Sequence, residues 1–181
     1  MPMLSVIEFS HRLLQEHVTK EDVALDLTVG NGHDILFLTQ VARFVYGFDI
    51  QAEALERAAT RLAGRENYLL IKDSHENFPD YVKEGFKAAV FNLGYLPGGD
   101  KTITTKAEAT LKTVRAVLEN ILPGGICVIV VYPGHPEGKR ESNLLLEYLS
   151  GLEQTRYQAL KYEFINQIND PPYLLAVRRM K

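Results

Sequence analysis

With one cysteine in 181 residues, the chain has no means of building an internal disulfide framework, and nothing in it points to an oxidising compartment. That cysteine, Cys127, sits in the apolar run "ICVIVVY", where a thiol is expected to be buried and inert. The same run is much too short for a membrane span, and the opening "MPMLSVIEFSHRLL" lacks the basic and then apolar order of a secretory leader. These absences place the protein in the cytoplasm with no membrane partner. Any excess of one sign of charge is small as well: 20 basic residues against 23 acidic ones leave a net charge of -3, so a nucleic acid has to be met by a local basic patch rather than by long-range attraction. No internal repeat, low-complexity tract or linker divides the chain. Residues 1–181 are therefore read as one domain, a length that can bury a single sizeable core. What is present is ordinary for a folded protein, 46% hydrophobic and 24% charged residues, a balance that disordered chains do not have.

Periodicity supplies the organisation. "SVIEFSHRLLQEHV" places Val6, Phe9, Leu13 and Leu14 at helical intervals, and "DVALDLTV" reads as a buried strand ending at glycines. A helix in "DILFLTQVA", a strand in "FVYGFDI", a helix in "AEALERAATRLAG" with Gly64 as its C-cap, and a strand in "NYLLIKD" complete a βαβαβ pattern. "AAVFNL" makes a fourth strand, followed by a helix that opens on "TKAE", where Thr105 and Glu108 fit a capping box. "ICVIVVY" is apolar throughout, as a central parallel strand covered on both faces should be. After a helix in "ESNLLLEYLSGL", the strands "YQALKYEFIN" and "YLLAVRRM" are joined by a connection too short for a parallel crossover, so they pair antiparallel. The fold class is α/β: a doubly wound, mostly parallel sheet with helices on both faces and a C-terminal antiparallel hairpin.

Ligands of such sheets bind outside the carboxyl ends of the strands, so the loops there carry the chemistry. The first is "LDLTVGNGHD". Its glycines serve a tight turn on one reading and a ligand on the other. Ile35 stands where the dinucleotide fingerprint needs a third small residue, and no Gly-Lys-Ser/Thr follows, which excludes a Walker loop. The second strand ends on Asp49, able to accept from a ribose diol or to cap the next helix. The third ends in "KDSHEN", where Ser74 is able to cap a turn. The fourth runs into "FNLGYLPGGDK", in which Asn92 offers a carbonyl that can hold an amine N–H and aim its lone pair. Tyr132 and His135 follow the fifth strand. His11 and His17, six apart on a helix, face different ways, and with His33 and His75 they give no metal-ligand spacing, so no metal is expected.

Asp26, Gly30 and Gly32, with Thr28 where a glycine is more usual, resemble the first motif of class I S-adenosylmethionine-dependent methyltransferases. The resemblance implies the seven-stranded Rossmann-like sheet of that class and S-adenosyl-L-methionine as cofactor. The cofactor would be held by the first loop (Asp26, Thr28, Gly30, Asn31, Gly32, Asp34), by Asp49, Ile50 and Gln51, by Asp73, Ser74 and His75, and by Asn92, Leu93 and Gly94. "NLGYLPGG" is similar to the Asn-Pro-Pro-Tyr motif of amino methyltransferases, with Leu93 and Gly94 in place of the prolines, which implies catalytic roles for Asn92 and Tyr95.

Together, "LDLTVGNGHDILFL", "GFDIQ", "DSHEN", "FNLGYLPGGDK" and "PGHPEG" resemble one family over nearly the whole chain: the tRNA 5-aminomethyl-2-thiouridine methyltransferases of Gram-positive bacteria, long labelled rRNA methylases. Leu27 and Ile35 replace the family's usual Ala and Thr, changes read as packing adjustments. The implied reaction is methylation of the aminomethyl nitrogen of the wobble uridine in a tRNA anticodon stem-loop. Substrate would be met by Tyr95, Leu96, Pro97, Gly98, Gly99, Asp100 and Lys101, by Tyr132 and His135, and by a small basic patch including Lys106, Lys139 and Arg140. Transfer to rRNA or to a small-molecule amine would use the same cofactor residues. A nicotinamide-dependent oxidoreductase and a non-catalytic nucleic-acid module are the readings from other classes. The sequence does not fix the oligomeric state, and a homodimer is one assembly it allows.

Overall fold

The computed structural model describes residues 2–94 and 107–181. Helix α1, Val6–His17, starts at a capping box in which the Ser5 hydroxyl accepts from the Glu8 N–H and the Glu8 carboxylate accepts from the Ser5 N–H. Strand β1 (Val23–Asp26), helix α2 (His33–Val41), strand β2 (Phe44–Asp49), helix α3 (Ala52–Arg61) and strand β3 (Tyr68–Lys72) form the expected βαβαβ half. Gly64 is not the C-cap of α3. That place is taken by Leu62, and Gly64 turns the chain two residues later at φ 83°.

Strand β4 (Ala88–Asn92), helix α5 (Ala107–Asn120), strand β5 (Ile126–Val131), helix α6 (Pro136–Ser150) and strands β6 (Tyr157–Tyr162) and β7 (Tyr173–Arg179) complete the chain. Two features depart from the periodicity reading. A 3₁₀ turn, His75–Asn77, and a single helical turn α4, Phe78–Tyr81, fill the "SHENFPDY" stretch, because Ser74 accepts from the Glu76 N–H and starts the turn. Helix α6 begins five residues before Glu141, with His135 as its N-cap and Pro136 in its first turn, where a missing N–H costs nothing. Thr105 lies outside the described residues, and with it the proposed capping box.

The sheet has seven strands in the order β3-β2-β1-β4-β5-β7-β6, parallel except for β7, which runs antiparallel to β5 and β6. Alternation splits each central strand between two apolar layers. Cys127, Ile129 and Val131 face the layer that includes Val114, Val117 and Leu118 of α5, whereas Ile126, Val128 and Val130 face the layer that includes Leu14 of α1 and Ile35 and Leu38 of α2. This two-sided cover is why β5 is apolar at every position and wholly buried. Among the described residues no helix is long and apolar enough to cross a membrane. The pairing of Val131 with Tyr173 brings the β6–β7 loop, residues 163–172, to the carboxyl end of β5, beside the ends of the other parallel strands.

Candidate active site

A cavity of about 820 Å³ opens at those carboxyl ends. Its wall takes residues from every expected strand-end loop: Thr28, Gly30, Asn31 and Asp34; Asp49, Ile50 and Gln51; Asp73, Ser74 and His75; Asn92, Leu93 and Gly94; Tyr132 and His135. Position Gly94 has φ 135°, a conformation that side chains rarely adopt, and it stands against the Tyr132 ring.

The loops are tied to one another by the same residues. Asp49 accepts from the Gly30 N–H at 2.9 Å through Oδ2 and from the Gln51 N–H at 2.9 Å through Oδ1. It therefore anchors the glycine loop to the end of β2, while the N-cap position of α3 falls to Gln51. Thr28, where a glycine is more usual, accepts from the Asn92 N–H at 2.6 Å and so fastens the end of β1 to the end of β4. The Asp73 carboxylate accepts from Tyr81 (2.8 Å), Asn77 (2.9 Å) and the Ser74 N–H (2.7 Å), and the Tyr81 hydroxyl foremost holds it below the usual carboxylate range.

His75 is buried under α5. The Thr113 hydroxyl donates to the Ala109 carbonyl at 2.9 Å, so its oxygen accepts the His75 Nδ1–H at 2.7 Å and leaves Nε2 as an acceptor. Burial lowers the pKa of this imidazole to about 4, which keeps it neutral. His135 shows the opposite tautomer: Nδ1 accepts from the Gly138 N–H at 3.1 Å, and Nε2 is buried with no partner among the described residues.

The densest polar cluster surrounds Asn92. Its Nδ2–H donates to Asp34 Oδ2 at 3.2 Å, and its Oδ1 accepts from the Tyr132 hydroxyl at 2.7 Å. Asp34 Oδ1 in turn meets His11 Nε2 at 2.7 Å, and the His11 ring stacks on Phe37 with centroids 4.1 Å apart at 5°. The Asn92 carbonyl was expected to be open to an incoming amine; it already holds one hydroxyl, and its second lone pair is what remains for a ligand. Burial pushes the Tyr132 hydroxyl above its ordinary pKa, with Asp34 adding to the effect, so it stays a donor.

Two expected cofactor residues do not reach the wall. Asp26 lies behind it, 0% exposed, with Oδ1 accepting from the Thr28 N–H and Oδ2 without a partner; burial and the neighbouring Asp34 raise its pKa well above the ordinary carboxylate value. Gly32 is a packing residue: at φ 80° it fits against α3, and a Cβ there would lie 2.8 Å from the Cα of Ala58. Lys139 and Arg140 are exposed on α6 away from the wall, and Arg140 pairs with Glu108. Tyr95, Leu96, Pro97, Gly98, Gly99, Asp100, Lys101 and Lys106 lie outside the described residues.

Asp170 and Pro172 line the cavity without having been singled out. Their signal was topological, since an antiparallel β7 beside β5 must carry the β6–β7 loop to the ligand end of the sheet. His11 was weighed only as a metal ligand. No local motif marks its contact with Asp34, which spans 23 positions of sequence.

The donor set suits a cofactor with a cationic end and a nucleoside end: carboxylates of Asp34 and Asp49, a neutral His75 acceptor, and close backbone approach at Gly30 and Gly94. The sheet order and this strand-end cleft are those of class I methyltransferases. The sequence matches the family described as "Putative rRNA methylase" over residues 45–178. It is 30% identical to the chloroplastic tRNA (mnm(5)s(2)U34)-methyltransferase of Arabidopsis thaliana, over 95% of this chain and 69% of that protein. Among solved structures, a "putative methyltransferase" of Streptococcus mutans in complex with SAH superposes with a TM-score of 0.93 at 35% identity, over 99% of this chain and 100% of that one. An rRNA methylase of Streptococcus thermophilus superposes with a TM-score of 0.88 at 36% identity, covering 100% of both chains.

Proposed function

The chain belongs to the family described as "Putative rRNA methylase", and from that premise we propose that it transfers a methyl group from S-adenosyl-L-methionine to the aminomethyl nitrogen of 5-aminomethyl-2-thiouridine at the wobble position of a tRNA anticodon stem-loop. S-adenosylmethionine dependence belongs to the family and fold. The choice of amine and of tRNA is the finer reading, supported by the similarity to the Arabidopsis thaliana protein and by the Asn92 site.

The observation that carries it is the clamped amide of Asn92. A group that must orient an amine needs a fixed acceptor, and here the carbonyl oxygen of Asn92 is held between a hydroxyl donor on one side and, through its own NH₂, a carboxylate on the other. When bound, the cofactor supplies a methyl carbon on a cationic sulfur, so no residue has to activate the leaving group. The free lone pair of Asn92 Oδ1 accepts one N–H of a neutral amine, which turns the nitrogen lone pair away from the amide. A nitrogen–carbon bond forms as the carbon–sulfur bond breaks, and the product amine gives its extra proton to solvent. Well-aligned reactants account for barrier reductions of about 7 to 11 kcal/mol, and Asn92, Leu93 and Gly94 do this aligning at the end of a buried strand.

Incubation with methyl-labelled S-adenosylmethionine and two tRNA preparations, one carrying the aminomethyl group and one lacking it, tests the reading. Label is expected only in the first, with nucleoside mass spectrometry placing it as 5-methylaminomethyl; equal labelling of both, or of neither, removes it. The family's description favours ribosomal RNA as the second reading, and an rRNA arm in the same assay decides between them.

A further inference from the structure

We propose that His11 is a positioning residue for the transfer, acting on Asn92 through Asp34; the inference rests on the functional reading above. Four side chains from four places in the chain form one file: His11 on α1, Asp34 in the first turn of α2, Asn92 at the end of β4 and Tyr132 just after β5. The chemistry of each member fixes the next. A carboxylate only accepts, so His11 Nε2–H donates to one oxygen of Asp34 and Asn92 Nδ2–H to the other. With its NH₂ committed to Asp34, the amide has one orientation, and Oδ1 is left to Tyr132 and to the cavity.

A flipped amide would present N–H groups to the nucleophile's own N–H and to the Tyr132 hydroxyl. Asp34 prevents the flip only while its carboxylate is itself held, and its side chain is 7% exposed, so little solvent is available to replace a lost donor. His11 is that donor. Phe37 stacks on the imidazole and fixes its plane. Among the described residues this is the single side-chain hydrogen bond from α1 to another element; the other α1 side chains bond within their own helix or its cap. The helix thereby reaches the reacting end of the sheet through one residue.

The test compares wild type, His11→Ala and His11→Gln, the last offering an N–H in place of Nε2–H. At saturating S-adenosylmethionine and aminomethyl-bearing tRNA, His11→Ala is expected to lower kcat by about 10- to 100-fold, the scale of lost alignment. KM for S-adenosylmethionine should stay within about twofold, and His11→Gln should regain most of the loss. Independently of turnover, the side-chain NH₂ resonances of Asn92 in ¹⁵N-labelled protein without RNA should shift and broaden in His11→Ala and return in His11→Gln. Unchanged Asn92 resonances in His11→Ala, or a loss confined to KM, overturn the proposal. Should His11→Ala not fold, the wild-type ring decides: a proton on His11 Nε2 supports the assignment, and a bare Nε2 overturns it. Absence of transfer by the wild type counts against the function proposed above, while the resonance measurement still decides the role of His11.

Discussion

The carboxyl group of Asp26 has no solvent contact and one oxygen without a partner, so its burial makes the ionised form expensive. Its folded pKa is raised, which means the native state keeps a proton that the unfolded chain releases above about pH 4. Wild-type stability therefore falls as pH rises through that window. Asp26→Asn removes the titration and keeps an acceptor for the Thr28 N–H. Its stability should match wild type near pH 4 and exceed it increasingly as pH rises towards the raised folded pKa, by at most about 1.4 kcal/mol per pH unit, read from urea midpoints. His75 runs the other way. Its folded pKa of about 4 lies below the ordinary value, so its contribution is complete above about pH 6.5 and is lost as pH falls towards 4. The two slopes oppose one another between those limits; Glu141, raised by burial to about 7, adds to the falling one, so His75→Gln should expose the slope of Asp26 and Glu141 together. At this scale the sequence was informative about which residues gather and less so about what each does. Asp26 and Asp34 look alike in "LDLTVGNGHD", yet one lies behind the wall and the other holds Asn92, because strand alternation and a helical turn send them to different surroundings.

Among the elements, α2 and α3 show how a glycine written into a ligand motif serves packing. Gly32 combines φ 80° with a Cβ position 2.8 Å from the backbone of α3, so Gly32→Ala is expected to cost about 2 to 4 kcal/mol through the left-handed penalty and overpacking together. Gly64 has a similar φ, 83°, but nothing within 4 Å, and Gly64→Ala should cost only the first part, about 1 to 2 kcal/mol, in the same denaturation series. Element identity was legible wherever an apolar period ran for several turns, as in α1, α3 and α5. It failed where a cap outweighed the period. Ser74, read as able to cap a turn, does so and starts a 3₁₀ turn in a stretch too short to show a period, and His135 with Pro136 starts α6 before its apolar stripe begins. Histidine is not among the residues that commonly mark an N-cap, so Pro136 alone marked that boundary in the sequence.

Across the whole molecule, the mostly parallel sheet and its ligand end followed from alternating periodicity and the antiparallel hairpin from the short β6–β7 connection, whereas the seven strands came from the methyltransferase resemblance. The File of His11, Asp34, Asn92 and Tyr132 did not, since it depends on how α1 lies against the sheet, and single-chain periodicity says nothing of that. Cys127, the second residue of β5, is wholly buried, with β5 paired on one side to β4 and on the other to β7. Burial also pushes its thiol above the ordinary range, so the thiolate is scarce as well as enclosed. A thiol reagent can then reach this one sulfur only when the apolar layer between α5 and the sheet opens. Alkylation in native buffer becomes a clock for that opening, with a single event per chain. Adding S-adenosylmethionine should slow that clock in proportion to 1 + [L]/Kd, which yields the cofactor's affinity with no substrate RNA in the tube.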